Sequence, residues 1–415
     1  MQRTLIPIGP RQVLGFCLAI SAFELLTYMA SDLVMPAMLG VTRELQADAR
    51  HVPHAFNLYL LGGVCLQWLI GPLSDQWGRR RMLLIGCALF AAACAAAFVS
   101  QSIAAFNLLR LLQGMGIGFV VAVSYPALQE VFCEADAVRL MALLGNIALL
   151  SPLIGPLLGV VLLQWMSWRE LFLSLGVAAL LVWLGLFVWM PETIGMTRRD
   201  GHRQAPIEFS WQQTWQRYRA LLGNRRFLAA SLALGLMSLP LIAWIGLAPL
   251  LLMQLLDLTP VQYGLWQIPI FTAVIAGNLI LDRLLPTYSL PRIIRLALWP
   301  FCTGLLALIG CALFGVGLAP VVASLSVYAV GLGMSNAALY RLALFASDDS
   351  KGLVSALVGM LSIALMGLGG GLIATIGGGA RLELFALCAA FSGLMCLPLL
   401  QGLLTSRNRA AACDQ

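Results

Sequence analysis

Three ionisable side chains sit where such groups are costly. Glu24 and Asp32 lie in an otherwise apolar stretch near residues 13–36, and Arg110 lies in another near 103–128. Charged groups inside a membrane are expensive and mark ion or proton pathways. Apolar surroundings favour the protonated form of a carboxyl group, whereas a nearby guanidinium or bound cation favours the carboxylate. A carboxyl poised between those influences holds a proton when alone and releases it when a guest arrives. Each pH unit supplies about 1.4 kcal/mol per proton, and each charge crossing 100 mV supplies about 2.3 kcal/mol. The chemistry on offer is proton exchange against a bound guest. The competing account is a static pair fixing one helix against another.

The spacing of these residues suits a shared surface. On a helix, Glu24 and Asp32 are separated by about 12 Å along the axis and about 80° around it. Glu24, Tyr28 and Asp32 therefore form a diagonal stripe that can line a cavity. If the first stretch ends near residue 36, Asp32 lies a few residues from its far end. Arg110 then falls roughly 10 Å below the same surface, within direct or relayed reach of Asp32, while Glu24 sits near the middle.

The elements that must carry these residues are membrane helices. Of 415 residues, 60% are hydrophobic and 10% charged, far from the roughly 25% charged residues of a soluble domain. The mean hydropathy is +0.91. Apolar runs near 13–36, 52–74, 82–101, 103–128, 139–164, 168–190, 226–255, 260–283, 292–314, 318–345, 352–378 and 382–404 each approach the roughly 20 residues that a spanning helix needs. They are apolar all round rather than alternating, which excludes a β-barrel. The first run is too long for a cleavable signal and carries two acids. The fold expected is an all-α polytopic membrane protein.

Arginine placement sets an orientation, because loops on the cytoplasmic side hold the Lys/Arg excess. Arg79, Arg80, Arg81, Arg139, Arg198, Arg199, Arg217, Arg219, Arg225, Arg226, Arg283, Arg292 and Arg341 fall on one side, Arg43, Arg50, Arg169 and Arg381 on the other. Both termini are then cytoplasmic, and the net charge of +7 belongs to orientation rather than to nucleic acid. The longest loop divides the chain into residues 1–190, a linker 191–225, and 226–415, with six spans on each side. Within the linker, Trp211–Leu222 mixes Trp, Tyr, Leu and Arg as a helix at an interface does. A faint echo between Gly71-Pro-Leu-Ser-Asp75 and Asn278-Leu-Ile-Leu-Asp282 suggests that the halves are parallel repeats.

Two motifs add detail. Residues 71–81 read Gly-Pro-Leu-Ser-Asp-Gln-Trp-Gly-Arg-Arg-Arg, in which Gly71 and Gly78 permit a tight turn and Asp75 can pair with arginine or cap a helix. Ser151-Pro-Leu-Ile-Gly155-Pro156-Leu-Leu-Gly159 combines two prolines with small residues, a face that bends and approaches neighbours closely.

These residues together resemble the major facilitator superfamily, in particular its twelve-span drug:proton antiporters, with a fold of two six-helix bundles. Gly71 to Arg80 resembles the family's loop signature, and Leu108-Leu-Arg110-Leu-Leu-Gln113-Gly114 its fourth-helix motif. Gly155, Pro156 and Gly159 are similar to its fifth-helix antiporter motif. Phe23-Glu24 through Asp32, Leu66 to Asp75, Met190-Pro-Glu192-Thr193, Leu239 to Trp244 and Leu344 to Asp348 resemble the MdfA type within that family. The resemblance implies that Glu24 and Asp32 are the protonatable acids and that Arg110 modulates them with help from Gln113. It implies that Asp75, Arg79 and Arg80 take part in closing the cytoplasmic side. It also implies a cavity lined by Tyr28, Tyr125, Met237 and Leu241, to which the residues themselves add Trp244 and, beside the acid, Ser31. Three departures stand out: Gln76 for a basic residue, Ser31 for an Asn, and Ser151, which weakens the fifth-helix motif.

Such a cavity suits lipophilic cations through aromatic faces and carboxylates, and its Met and Leu walls suit varied guests. Export of cationic and neutral drugs against protons is the expected activity. A carrier of one metabolite, or an alkali-cation exchanger, is the alternative on the same fold. A sugar or anion carrier calls for several buried amides or a further cavity Arg or Lys, where only Arg110, Gln113 and Asn146 qualify. No catalysis, cofactor or metal is expected, since His51, His54 and His202 are read as loop residues and no phosphate-binding motif occurs. The ten cysteines read as small buried hydrophobes without a CxxC. The partners expected are small-molecule drugs, protons and the lipid bilayer, with the chain a monomer.

Overall fold

The structure, a computed structural model, describes residues 4–199, 201, 205–206, 210–347, 351–378 and 381–404, with some side chains of 134–149 and a few at 213, 351–352 and 377–378 outside that description. Its helices are α1 (Pro10–Asp32), α2 (Met38–Glu44), α3 (His51–Cys65), α4 (Gln67–Trp77), α5 (Arg79–Phe98), α6 (Ile103–Phe119), α7 (Tyr125–Val131) and α8 (Glu134–Leu162). They continue as α9 (Trp168–Trp189), α10 (Trp211–Gly223), α11 (Arg225–Ala248), α12 (Pro260–Leu284), α13 (Leu290–Phe314), α14 (Leu318–Leu344), α15 (Lys351–Ile373) and α16 (Leu382–Leu394). Eleven helical runs among the described residues are long and apolar enough to cross a membrane. The 29-residue α8, about 44 Å long, supplies the remaining expected span. The chain is a polytopic membrane protein.

Start signals explain most edges. Ser102 accepts the Ala105 N–H ahead of α6. Capping boxes at Ser167–Glu170 and Thr259–Gln262 open α9 and α12, and Asn224 caps α11. Each satisfies N–H groups that would otherwise lack partners. Prolines shape the interiors. Pro36 cannot donate to the Asp32 carbonyl, and the chain tightens into a 3₁₀ turn at Met35–Ala37 before α2 continues to Glu44. This corrects the expected depth of Asp32, because twelve further residues of helical run come after it. His51 and His54 are corrected too: they open α3 rather than lying in a loop.

The helices group into two compact units. One holds the residues up to His51 together with Leu58–Trp215, and the other holds Val52–Asn57 together with the residues from Gln216 onward. Within the first, α5 packs on α6 and α9, α1 on α6, α8 and α9, and α4 on α6. Within the second, α13 packs on α14 and α16, α11 on α14, α15 and α16, and α12 on α14. The order of pairings is the same, which gives the faint sequence echo a structural counterpart.

Each unit has its own aromatic core. Phe16, Phe23, Phe90, Phe106, Phe132 and Phe172 are fully buried in the first, and Trp244, Tyr263, Phe301, Tyr328 and Phe385 in the second. Tyr328 also bridges the α11 backbone next to Pro240. Its hydroxyl donates to the Met237 carbonyl at 2.6 Å while accepting from the Leu241 backbone. Tyr328→Phe removes that bridge from an apolar core. We expect a loss of about 1–3 kcal/mol, read as a lower unfolding midpoint of the detergent-solubilised chain, with little change for Tyr288→Phe on the exposed stretch before α13.

Candidate functional site

In the first unit, α1 brings the two acids into different surroundings. Glu24 is completely buried. Its Oε1 accepts from the Tyr125 hydroxyl at 3.0 Å, while its Oε2 has no hydrogen-bond partner among the described residues. The backbone that presents Tyr125 is set by Pro126, which offers no N–H to the turn before it. There the helix widens into a π turn over Val120–Ser124, shifting the register of the residues beyond it. Thr27, one turn beyond Glu24, returns its hydroxyl to the Glu24 carbonyl at 2.9 Å. Tyr28 lies between the acids and is half-buried.

Asp32 is held from α8. Its Oδ2 accepts from the Ser151 hydroxyl at 2.8 Å. That contact requires close approach of two helices, and glycine provides it. A Cβ at Gly155 would lie 2.7 Å from the Asp32 Cβ, and one at Gly159 would land on the Leu33 carbonyl oxygen. Pro156 is buried between them. Ser151, a departure from the fifth-helix motif, is therefore the hydrogen-bond partner of an acid. Ser31 donates to the Tyr28 carbonyl at 2.7 Å and also lies within hydrogen-bonding reach of the Asp32 carboxyl.

Arg110 is almost completely buried and forms no ion pair with Asp32 among the described residues. Its Nη1 donates to the Ala30 carbonyl at 3.0 Å and to Gln113 Oε1 at 2.9 Å. The guanidinium lies over the Tyr59 ring, 4.4 Å from its centroid. Tyr59 in turn donates to the Thr27 carbonyl, and Gln113 Nε2 donates to Ala93 at 3.3 Å. Arg110 thus meets α1 at the Ala30 carbonyl, two residues before Asp32, and reaches the Asp32 carboxyl through charge.

At the end of α4 lies a denser cluster. Arg79, itself buried, pairs with Asp75 and with Glu130 at 3.0 Å, and donates to Ser74. Thr193 donates to the other oxygen of Glu130. Gly78 makes the turn with φ +100°, and a side chain there would strike the Glu192 carboxylate. Glu192 Oε1 accepts the N–H of Arg79 at 2.9 Å, of Thr193 at 2.9 Å and of Ile194 at 3.2 Å. Arg80 donates to the Phe187 carbonyl. Gly71 is corrected: it lies inside α4 with open space around it, so the turn rests on Gly78 alone. Glu130 was missed by sequence reasoning. The available signal was an acid in the apolar run Tyr125–Val131, just past the expected end of its span.

The second unit carries Met237, Leu241 and Trp244 on α11, all buried. Trp244 Nε1 donates to Gln267 Oε1 at 2.7 Å, and its ring packs 5.6 Å from Phe385. The side chain of Asn146 lies outside the described residues. The expectation that buried amides are few is corrected by Asn57, Gln67 and Gln267, each embedded in an apolar run and buried.

Eleven apolar spans among the described residues, helices paired alike in two units and buried carboxyls on the first helix define a polytopic membrane protein of the kind that moves solutes across the bilayer. The family model described as Major Facilitator Superfamily matches residues 18–370, and the chain belongs to that superfamily. It is 41% identical over 408 residues to the multidrug transporter MdfA of Yersinia pestis bv. Antiqua (strain Angola), covering 97% of both chains. It is 41% identical over 398 residues to the protein of the same name in Edwardsiella ictaluri (strain 93-146), covering 95% of this chain and 94% of that one. The xylose transporter XylE from E. coli, in a partially occluded inward open conformation, shares the fold with a TM-score of 0.71 at 12% identity. That match covers 94% of this chain and 98% of the other.

The glycine contacts make a stability prediction. Gly159→Val drives a branched side chain into backbone, and overpacking of this kind costs about 1–3 kcal/mol or more. Folded yield from membranes and the unfolding midpoint should both fall, whereas Gly310→Ala, with nothing within 4 Å of its Cβ position, should match the parent.

Proposed function

We propose that this chain is a proton-coupled antiporter that exports lipophilic cationic and neutral drugs by alternating access. The observation that carries the reading is the unequal pair on α1. Glu24 keeps one buried carboxyl oxygen without a hydrogen-bond partner among the described residues, while Asp32 has a hydroxyl donor from a second helix. An unpartnered oxygen in an apolar setting can take a proton or meet the charge of a guest. The names carried by relatives of 41% identity support drugs as the cargo.

In this reading Glu24 and Asp32 carry the exchanged protons, and Arg110, fixed by Gln113, biases them through α1. Tyr28, Ser31, Tyr125, Asn146, Met237, Leu241 and Trp244 contact the drug. Asp75, Gly78, Arg79 and Arg80, with Gly71, latch the cytoplasmic side, and Gly155, Pro156 and Gly159 let α8 slide against α1. Residues 1–190 and 226–415 act as the two moving bundles, joined by 191–225. The transporter is a monomer of the bacterial inner membrane with both termini in the cytoplasm, and it performs no catalysis. The buried amides Asn57, Gln67 and Gln267 favour, as second reading, a polar metabolite as cargo.

Everted vesicles loaded with a pH-sensitive dye test the exchange. Ethidium or chloramphenicol should dissipate the imposed gradient, and Glu24→Gln combined with Asp32→Asn should remove the response. Uphill efflux surviving in that double variant defeats the mechanism; gradient loss with a polar metabolite alone moves the cargo to the second reading. For topology, green fluorescent protein fused after Gln415 should fluoresce, and alkaline phosphatase fused there should be inactive.

A further inference from the structure

One exposed face has no part in the exchange. Helix α10 presents Trp211, Trp215 and Leu222 outward, with the two indoles more than half exposed. At 100° per residue these three fall within a 40° arc, and Arg219 comes about 40° further round. Tyr218, about 20° to the other side of Trp211, and Leu221, about 80° round, are buried, so the exposed ridge borders the face that packs on protein. Trp211 touches Trp68 edge-on at 5.4 Å and still leaves half its surface open. Only Asn224 separates α10 from α11, whose first residues are Arg225 and Arg226, both exposed. Asn224 ties this junction to the end of α14 through the Ala346 carbonyl at 2.8 Å, and Arg341 lies in the last turn of α14. The helix therefore sits where a membrane span begins, with an aromatic ridge beside a collar of arginines.

We propose that this ridge docks α10 on anionic phospholipid headgroups. Indoles favour the headgroup layer, where one edge meets hydrocarbon and the N–H meets water. Arginines beside them gain from negative lipid, each contributing about a fivefold preference near the surface. An interfacial helix of this design binds by apolar contact and charge together. Arg217, Arg219, Arg225 and Arg226 are exposed and carry no acid in the intervening sequence. That one-signed charge selects lipid over a second copy of this chain, whose equivalent face would repel it.

The purified full-length protein in vesicles of brominated phosphatidylglycerol or brominated phosphatidylcholine, at equal bromine content, tests this. Tryptophan fluorescence should be quenched more by the anionic lipid. The excess should vanish in Trp211→Leu/Trp215→Leu, which removes the reporters, and fall at least severalfold in Arg217→Gln/Arg219→Gln, which keeps them. Equal quenching by the two lipids overturns the proposal, as does an excess unchanged in the arginine variant. Dimerisation in neutral lipid that shields the two indoles assigns the face to a second copy and overturns it as well. An unfolding midpoint equal to the parent's confirms that each variant is folded.

Discussion

A carboxyl group placed among membrane helices must be compensated locally, because neither lipid nor packed apolar side chains will solvate it. Much of the first unit is arranged around that demand. Asp32 draws a hydroxyl from α8, and the approach that allows it leaves no room for side chains at Gly155 and Gly159. Glu24 draws a phenol from beyond the π turn of the fourth span. Arg110, the cation within reach, is committed to a backbone carbonyl, an amide and an aromatic face. Among the described residues the acids thus have neutral hydrogen-bond partners rather than a salt bridge. A salt bridge would fix their charge, whereas hydroxyl partners can serve a carboxylate or a carboxylic acid by rotating one O–H bond.

The opposite solution appears at the end of α4. There, Asp75, Arg79 and Glu130 form ion pairs, and Glu192 stacks three backbone N–H groups on one oxygen. Breaking such a buried pair by removing one member costs about 3–5 kcal/mol. A cluster of this kind has discrete made and broken states, which is what a latch needs. The two carboxyls of α1 and the cluster at Arg79 therefore use the same residue types for different ends. The difference lies in where the positive charge is allowed to settle.

Much of this was legible in the sequence. The spans follow from hydropathy and length, while the caps at Ser102, Ser167, Thr259 and Asn224 that set their edges emerge from the structure. Acids inside apolar runs announced Glu24 and Asp32, and the glycine and proline pattern announced a close helix contact at 155–159. What the sequence could not supply was partnership across long separations. Ser151 looks like a departure from a motif because nothing local links residue 151 to residue 32. Glu130 escaped because its importance comes from Arg79, fifty-one positions earlier. Asp32 lies further from its helix end than hydropathy suggests, because Pro36 and its 3₁₀ turn resemble a stop, whereas the tertiary setting carries the helical run onward.

The two units also separate architecture from chemistry. Their helices pair in the same order, so the sequence needed to pack six spans is satisfied twice. Yet the counterpart of α1 in the second unit, α11, carries no acid along its length and spends its polar contacts on structure: Tyr328 on the Met237 and Leu241 backbone, and Gln267 on Trp244. In α1 the corresponding effort goes into two carboxyls that pure packing would not retain, since apolar residues of similar size would fill those sites at lower cost. In the proposed antiport, a repeat that keeps its packing in both copies and its deep acids in one puts the proton chemistry in the first unit. It leaves the second as an apolar and aromatic surface free to vary with the cargo.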